Sequence, residues 1–168
     1  AEHLTGPLGK DDVHFVIIGF GPQLEDVRRD VRDHGLEAYF TFTGPLYGPE
    51  LLEALNAIDI GVAPDPKNPM NDISTMNKVM EYMTLEKPLV QFDLTEGRVS
   101  AGEASLYARA NDPLDFARKI ADLIDDPEAG KRMGTLGRKR VLEDLSWAHT
   151  TPQLLAAYDR IYDKMKRR

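Results

Sequence analysis

A chain of 168 residues that is 42% hydrophobic and 29% charged carries enough apolar side chain for one globular domain with a real core. Its formal net charge of −7 argues against a nucleic-acid groove as its main business and leaves room only for a local basic patch. Without a single cysteine it can build no disulfide framework, thiolate metal site or cysteine nucleophile, and His3, His14, His34 and His149 show no metal-ligand spacing.

In chain order, residues 1–9 resemble a helix end, broken at Gly6-Pro7 and Gly9. Val13 to Ile18 is a near-continuous apolar run, the pattern of a strand buried on both faces. Gly19-Phe20-Gly21-Pro22 turns sharply into a helix with Leu24, Val27 and Val31 inward, ending at Gly35. Tyr39 to Thr43 is the next strand, Gly44 to Gly48 a turn, Pro49 to Ala57 a short helix and Ile58 to Ala63 another buried strand. Pro64 to Asn71, with three prolines and no periodicity, is a long loop, and long loops in compact domains tend to be functional.

The stretch Asn71–Asp93 organises the rest. Met76, Val79, Met80 and Met83 recur at i, i+3, i+4 and i+7 and form one apolar helix face. At roughly 100° per residue, Ser74, Lys78 and Glu81 share the other side. Ser74 or Asp72 is placed to cap this helix. Its front offers free N–H groups and a positive dipole end, suited to a phosphate. Lys78 adds a cation and Glu81 an acceptor for paired sugar hydroxyls; an i, i+3 salt bridge on a solvated face is the simpler alternative. Leu89 to Phe92 is a fourth strand, Thr95 to Gly102 a loop, and Ser105 to Ala108 a short fifth strand.

Helices follow. Asp112 to Ile124 turns Phe116, Ile120, Leu123 and Ile124 inward, and Asp126-Pro127 opens a second with Met133, Leu136 and Val141 as its apolar side. Ser146 caps a last helix on which Trp147 is expected as a packing anchor, beside Leu154, Leu155, Tyr158, Ile161 and Tyr162. Its end, Lys164 to Arg168, places cations where the helix dipole favours them. Strands alternating with helices imply right-handed βαβ crossovers and a mostly parallel sheet covered on both faces, an α/β, Rossmann-like three-layer α/β/α domain. Ligands of such a sheet bind at the carboxyl ends of its strands, where loops 19–22, 44–48, 64–75 and 93–102 are expected to converge.

Five short motifs in register carry a resemblance. Gly19-Phe20-Gly21-Pro22 is similar to a "G-x-G-P" turn and Thr41-Phe42-Thr43-Gly44 to "V-x-F-x-G". Asp59 to Pro64 resembles "A-D-V-x-V-x-P-S". Glu81-Tyr82-Met83 with Lys87-Pro88-Leu89-Val90 resembles "E-A-M-A-x-G-x-P-V-V", and Leu145-Ser146-Trp147 a closing "F-S-W". Together, from about Val13 to Tyr158, they resemble the group 1 (family 4) glycosyltransferases, retaining nucleotide-sugar-dependent enzymes of the GT-B fold. The resemblance implies the donor-binding, C-terminal half of such an enzyme, 1–168 forming a single nucleotide-sugar-binding domain. Family members place a strand and a basic loop ahead of this point, so the chain is expected to be a fragment. It would lack its first strand and the N-terminal acceptor domain, and would be inactive alone.

What the resemblance implies for the site follows residue by residue. Gly19 and Gly21 would form a turn beside the sugar-nucleotide, with a plain backbone turn as the alternative; a dinucleotide fingerprint is disfavoured, because its third glycine would fall at Leu24 and Phe42-Thr43 ends the next strand without an acid. Pro45 and Leu46 occupy the turn that sandwiches the nucleobase in related enzymes. The amides of Ser74, Thr75 and Met76 would cradle the diphosphate, with Lys78 reaching it or pairing with Glu81. The family's Glu-x7-Glu pair places its second member on Glu81 and its first on Ile73, which cannot hydrogen-bond through its side chain. Asp72 or Asn71 would take over, or the backbone alone would hold the sugar. Pro64-Asp65 would shape the crevice, and Arg98 would meet either a phosphate or a neighbouring helix. No cofactor or metal is expected beyond the nucleotide diphosphate sugar, and the catalytic residues are not identified.

The expected partners are the donor and the protein's own N-terminal domain, with no nucleic acid; a membrane-associated acceptor is compatible with the reading. No apolar run approaches the roughly 20 residues that span a bilayer, and no signal peptide is visible. The expectation is a cytoplasmic protein, with a peripheral place at the inner membrane face left open. Two rivals stand beside a carbohydrate-biosynthetic transferase of hexosyl type. One is a flavodoxin- or receiver-like module, which would want acids after the first strand where Gly19-Phe20-Gly21 has none. The other, motivated by Ile73, is a degenerate transferase domain acting as a non-catalytic nucleotide-binding or interaction subunit.

Overall fold

The computed structural model describes residues 1–166; of the cationic end, Arg167 and Arg168 lie outside the described residues. Five parallel-paired strands alternate with helices: α1 (Glu2–Thr5), β1 (Phe15–Ile18), α2 (Leu24–Asp33), β2 (Phe40–Gly44), α3 (Gly48–Ala57), β3 (Gly61–Ala63), α4 (Asn77–Thr84), β4 (Leu89–Phe92), α5 (Thr95–Ala101), β5 (Ser105–Ala108), α6 (Pro113–Asp125), α7 (Pro127–Arg140) and α8 (Trp147–Lys166).

The strands do not form one sheet. β1 pairs in parallel with β2, and β3, β4 and β5 form a separate parallel sheet with β4 in the middle. All four residues of β4 are buried, because both faces are covered. Leu89 joins Ala63, Val79, Met83, Ala101 and Ala104 under α4 and α5, whereas Val90 and Phe92 join Ala108, Phe116 and Leu123 under α6. That is a three-layer, Rossmann-like α/β arrangement. α6 also extends beneath β1, where Ala117 and Ala121 meet Leu4, Val13 and Phe15.

Several expectations need correction. β1 is not buried on both faces: Val16 is 41% exposed, since its strand has a neighbour on one side only. The segment 95–102, read as a loop, is helical in α5, and its first amide is capped from a distant residue (below). The apolar side expected for α7 is half correct. Leu136 is 44% exposed, and the buried face of α7 is Gly130, Gly134 and Gly137. Without side chains these glycines let the helix lie directly on the main chain and on Met83. A Cβ at Gly134 would stand 2.0 Å from the Glu86 carbonyl oxygen, and one at Gly137 3.1 Å from both Ala104 and Met83. Trp147 is no packing anchor: it is 69% exposed on a helix whose residues are almost all open to solvent. Ser146 does not cap α8 through its side chain, which donates back to the Leu142 carbonyl.

Candidate functional site

The carboxyl ends of the strands carry the candidate residues, in two groups that belong to the two sheets. The first lies beyond β1 and β2. Gly19 has φ of 122°, a conformation glycine adopts without steric penalty, and its N–H donates to the Gly44 carbonyl at 2.8 Å. This joins the two turns, Gly19–Gly21 and Gly44–Leu46, at their first residues. Ile17, Gly19, Phe20, Gly21, Leu24 and Val27 line an open, largely apolar cleft of about 250 Å³. Phe20 and Tyr47 stand at its rim, 79% and 71% exposed.

The second group is built on α4. Met76, not Ser74 or Asp72, occupies its N-cap position, and no side chain caps it. Ser74 is tied into the preceding one-turn 3₁₀ helix, Asn71–Ile73: its N–H donates to the Asn71 carbonyl and its hydroxyl to Met70. Val79 donates to Met76. Among the described residues, the amides of Thr75, Met76, Asn77 and Lys78 find no acceptor. Successive unpaired N–H groups at a helix front form an anion seat. Lys78 does not pair with Glu81: it donates to both carboxylate oxygens of Asp65, at 3.0 and 2.8 Å. Glu81 is exposed, and one turn along the helix from the seat its carboxylate makes no hydrogen bond or ion pair with another described residue.

The rest of the site is a network that sequence patterns did not show. The Asp72 carboxylate accepts from the amide and hydroxyl of Thr95, at 2.9 and 3.0 Å, and lies 3.2 Å from the Lys67 ammonium. Thr95 opens α5, so Asp72 caps that helix from 23 residues away. The Thr95 amide first, then the Lys67 ammonium and the Thr95 hydroxyl, hold the Asp72 carboxyl below its ordinary range. Ile73 beside it is 77% exposed. Thr75 donates to Glu96, which also accepts from Ser100. Arg98 is engaged within its own loop region. It grips Asp93 through two nitrogens and lies 4.3 Å over the Tyr107 ring. Its hydrogen bonds lower the Asp93 carboxyl, while burial pushes the Tyr107 phenol up to about 12. Asp65, Lys67, Thr95 and Asn111 were not singled out as ligand contacts; their roles depend on partners far away in sequence, and Asp65 alone, in the Pro64-Asp65 turn, left a local signal. Among the described residues no group of three or more His, Asp or Glu is arranged to hold a metal ion, and no helix is long and apolar enough to cross a membrane.

Comparison with known proteins agrees with this geometry. The model of the family described as "Glycosyl transferases group 1" matches residues 3–126. A 2-deoxystreptamine glucosyltransferase of Streptomyces kanamyceticus is 26% identical over 158 residues, covering 91% of this chain and 39% of that protein. An alpha-maltose-1-phosphate synthase of Mycolicibacterium smegmatis is 25% identical over 175 residues, covering 96% and 43%. Among solved structures, Anabaena HepE in complex with UDP and glucose superposes with a TM-score of 0.79 at 15% identity, over 95% of this chain and 44% of its own. The chain thus spans about two-fifths of the length of the curated relatives it matches.

Proposed function

Because this chain belongs to the group 1 glycosyl transferases, we propose that it is the donor-binding half of a retaining, nucleotide-sugar-dependent hexosyltransferase. The observation that carries the reading is the front of α4, with its unpaired amides, the Asp65-held Lys78 and the unengaged Glu81. When the bond between the sugar's anomeric carbon and the diphosphate breaks, the departing diphosphate keeps the electron pair. The amides from Thr75 to Lys78 and the Lys78 cation stabilise that growing charge where it develops, at fixed positions. Glu81 accepts hydrogen bonds from sugar or ribose hydroxyls, and the turns at Gly19–Gly21 and Pro45-Leu46 hold the nucleotide. The acceptor oxygen then bonds to the anomeric carbon on the face the diphosphate left, and its proton passes to the departing diphosphate. The reading requires no cofactor or metal beyond the donor and its acceptor. That HepE is described with UDP and glucose makes uridine the first base to try.

The unjoined sheets support the domain part of this reading. β1 and β3 each have one unpaired edge, and α6 packs under both. We assign one further parallel strand between them, apolar on both faces, together with the acceptor half, to a longer protein of the relatives' length. α8 is the natural surface for that half: Leu154, Tyr158, Ile161 and Met165 fall on one face and are 43–66% exposed, a patch of the kind that marks an interface. On this reading the 168-residue chain by itself binds nucleotide weakly and transfers nothing.

One observation favours a second reading. Ile73 faces solvent beside the anion seat while Asp72 is committed to Thr95 and Lys67, so neither position offers the sugar a free acid to pair with Glu81. A nucleotide-binding subunit without turnover would look the same. Titration of the full-length protein with UDP-, GDP-, ADP- and TDP-sugars, with acceptor turnover and product anomer read by NMR, separates the two. Binding with retention of configuration supports the transferase, and binding without turnover on any acceptor the subunit. No binding at all overturns both.

A further inference from the structure

β5 hands the chain to α6 through Ala110 and Asn111, and Asn111 has φ of 59°, a left-handed conformation that asparagine tolerates better than most residues. α6 does not need this side chain: its cap is Asp112, which accepts from the Asp115 amide at 2.9 Å. The Asn111 carboxamide instead grips one residue of another loop at both main-chain groups. The Lys67 amide donates to Asn111 Oδ1 at 2.7 Å, and Asn111 Nδ2 donates to the Lys67 carbonyl at 3.2 Å.

Lys67 lies at the start of the segment that ends in the anion seat. Asn68 accepts from the amides of Met70 and Asn71, Asn71 reaches back to Pro66, and Asp72 donates to the Asn68 carbonyl. From Pro66 to Asn71 these bonds stay inside the loop. Among the described residues, its ties to the rest of the molecule are the Asn111 grip and the Lys67 ammonium, which reaches the Asp93 carbonyl at 3.5 Å and Asp72 at 3.2 Å. The loop is a stiff unit anchored at Lys67, with Asp72 beyond it tied to Thr95.

We propose that Asn111 is a positioning residue for the donor diphosphate. It touches no ligand; by fixing both main-chain groups of Lys67 it sets where Asp72 begins and hence where the amides of Thr75 to Lys78 point. This rests on the reading of the front of α4 as the donor seat. The same segment bears Ile73 and Met70, so a shift of the loop moves the whole mouth of the site together.

The test uses the full-length protein and four probes, UDP-, ADP-, GDP- and TDP-glucose. Asn111→Gly keeps the left-handed backbone and removes the grip; Asn111→Asp keeps the acceptor and loses the donor. With two neutral hydrogen bonds lost, the donor KM should rise roughly tenfold in Asn111→Gly and less in Asn111→Asp. The acceptor KM should stay near wild type, kcat should fall as the amides lose their aim at the departing diphosphate, and the unliganded Tm should change little because the exposed loop opens locally. Asp126→Ala, which removes the α7 cap at 2.8 Å from the Ala129 amide, should lower Tm and leave the donor KM alone. An unchanged donor KM in Asn111→Gly, with wild type responding to a probe, overturns this inference only. A wild type that responds to none of the four overturns the donor-seat reading and this inference with it.

Discussion

Lys78 on α4 is held at both carboxylate oxygens by Asp65, the second residue after β3, at 3.0 and 2.8 Å. The two side chains are 40% and 23% exposed, so the pair contributes at most about 1 kcal/mol to stability. Its value lies in geometry: the carboxylate fixes a cation beside four unpaired amides. Lys78→Met should therefore leave Tm almost unchanged and weaken nucleotide binding several-fold. Asp65→Asn keeps one acceptor for the Lys78 ammonium and raises the local charge by one, so its nucleotide affinity should fall more steeply than wild type on adding salt. Calorimetric titrations at low and high salt check both; a Lys78→Met protein with wild-type affinity would remove this cation from the site.

Acid should weaken the fold through the carboxylates that it holds ionised. Asp72, Asp93 and Asp112 all have carboxyl pKa values lowered in the fold, by the Thr95 amide, the Arg98 side chain and the Asp115 amide respectively. A depressed folded pKa gives stability that is fully present above the unfolded value, near 3.8, and is lost as pH falls through the folded values. Urea melts should thus be flat in their dependence on these groups at neutral pH and decline below about pH 4. In Asp72→Asn the decline should be shallower, because that protein no longer gives up the ionised cap of α5. A slope identical to wild type would contradict the role assigned to Asp72.

The glycine face of α7 makes a packing test that is independent of ligand. A Cβ at Gly134 would lie 2.0 Å from a main-chain oxygen, so Gly134→Ala should destabilise by about 1–3 kcal/mol through displacement of the helix. Gly21→Ala is the contrast, since nothing lies within 4 Å of its added Cβ, and it should change stability by no more than about 0.5 kcal/mol. Denaturant melts of the two variants read the difference directly.

The parts of this fold that were legible in the sequence are those written locally. The run Leu89–Phe92 declares a strand covered on both faces, and the spacing of Met76, Val79 and Met83 declares which side of α4 is buried. The parts that were not legible depend on distant or missing partners. α5 has no local N-cap, so nothing in Thr95–Gly102 announces a helix; its capping acid is Asp72. The inner face of α7 escaped because a search for apolar side chains passes over Gly130, Gly134 and Gly137. Lys78 was read against Glu81, its neighbour on the helix, whereas Asp65 lies across a loop whose course no periodicity reveals. The same holds for Trp147, whose apolar bulk was read as core although no described element covers it.

The central claim is that the front of α4 seats the donor and that Glu81 contacts its hydroxyls. Glu81 is exposed and makes no contact that stability would register, so its replacement reads the ligand alone. The most direct measurement is the affinity of the full-length Glu81→Gln protein for a nucleotide-sugar and for the matching nucleoside diphosphate, with Tm recorded on both proteins. The account expects an unchanged Tm and a loss of roughly tenfold or more in nucleotide-sugar affinity, as when hydrogen bonds to a charged acceptor are removed. Wild-type affinity for the nucleotide-sugar in Glu81→Gln would contradict it.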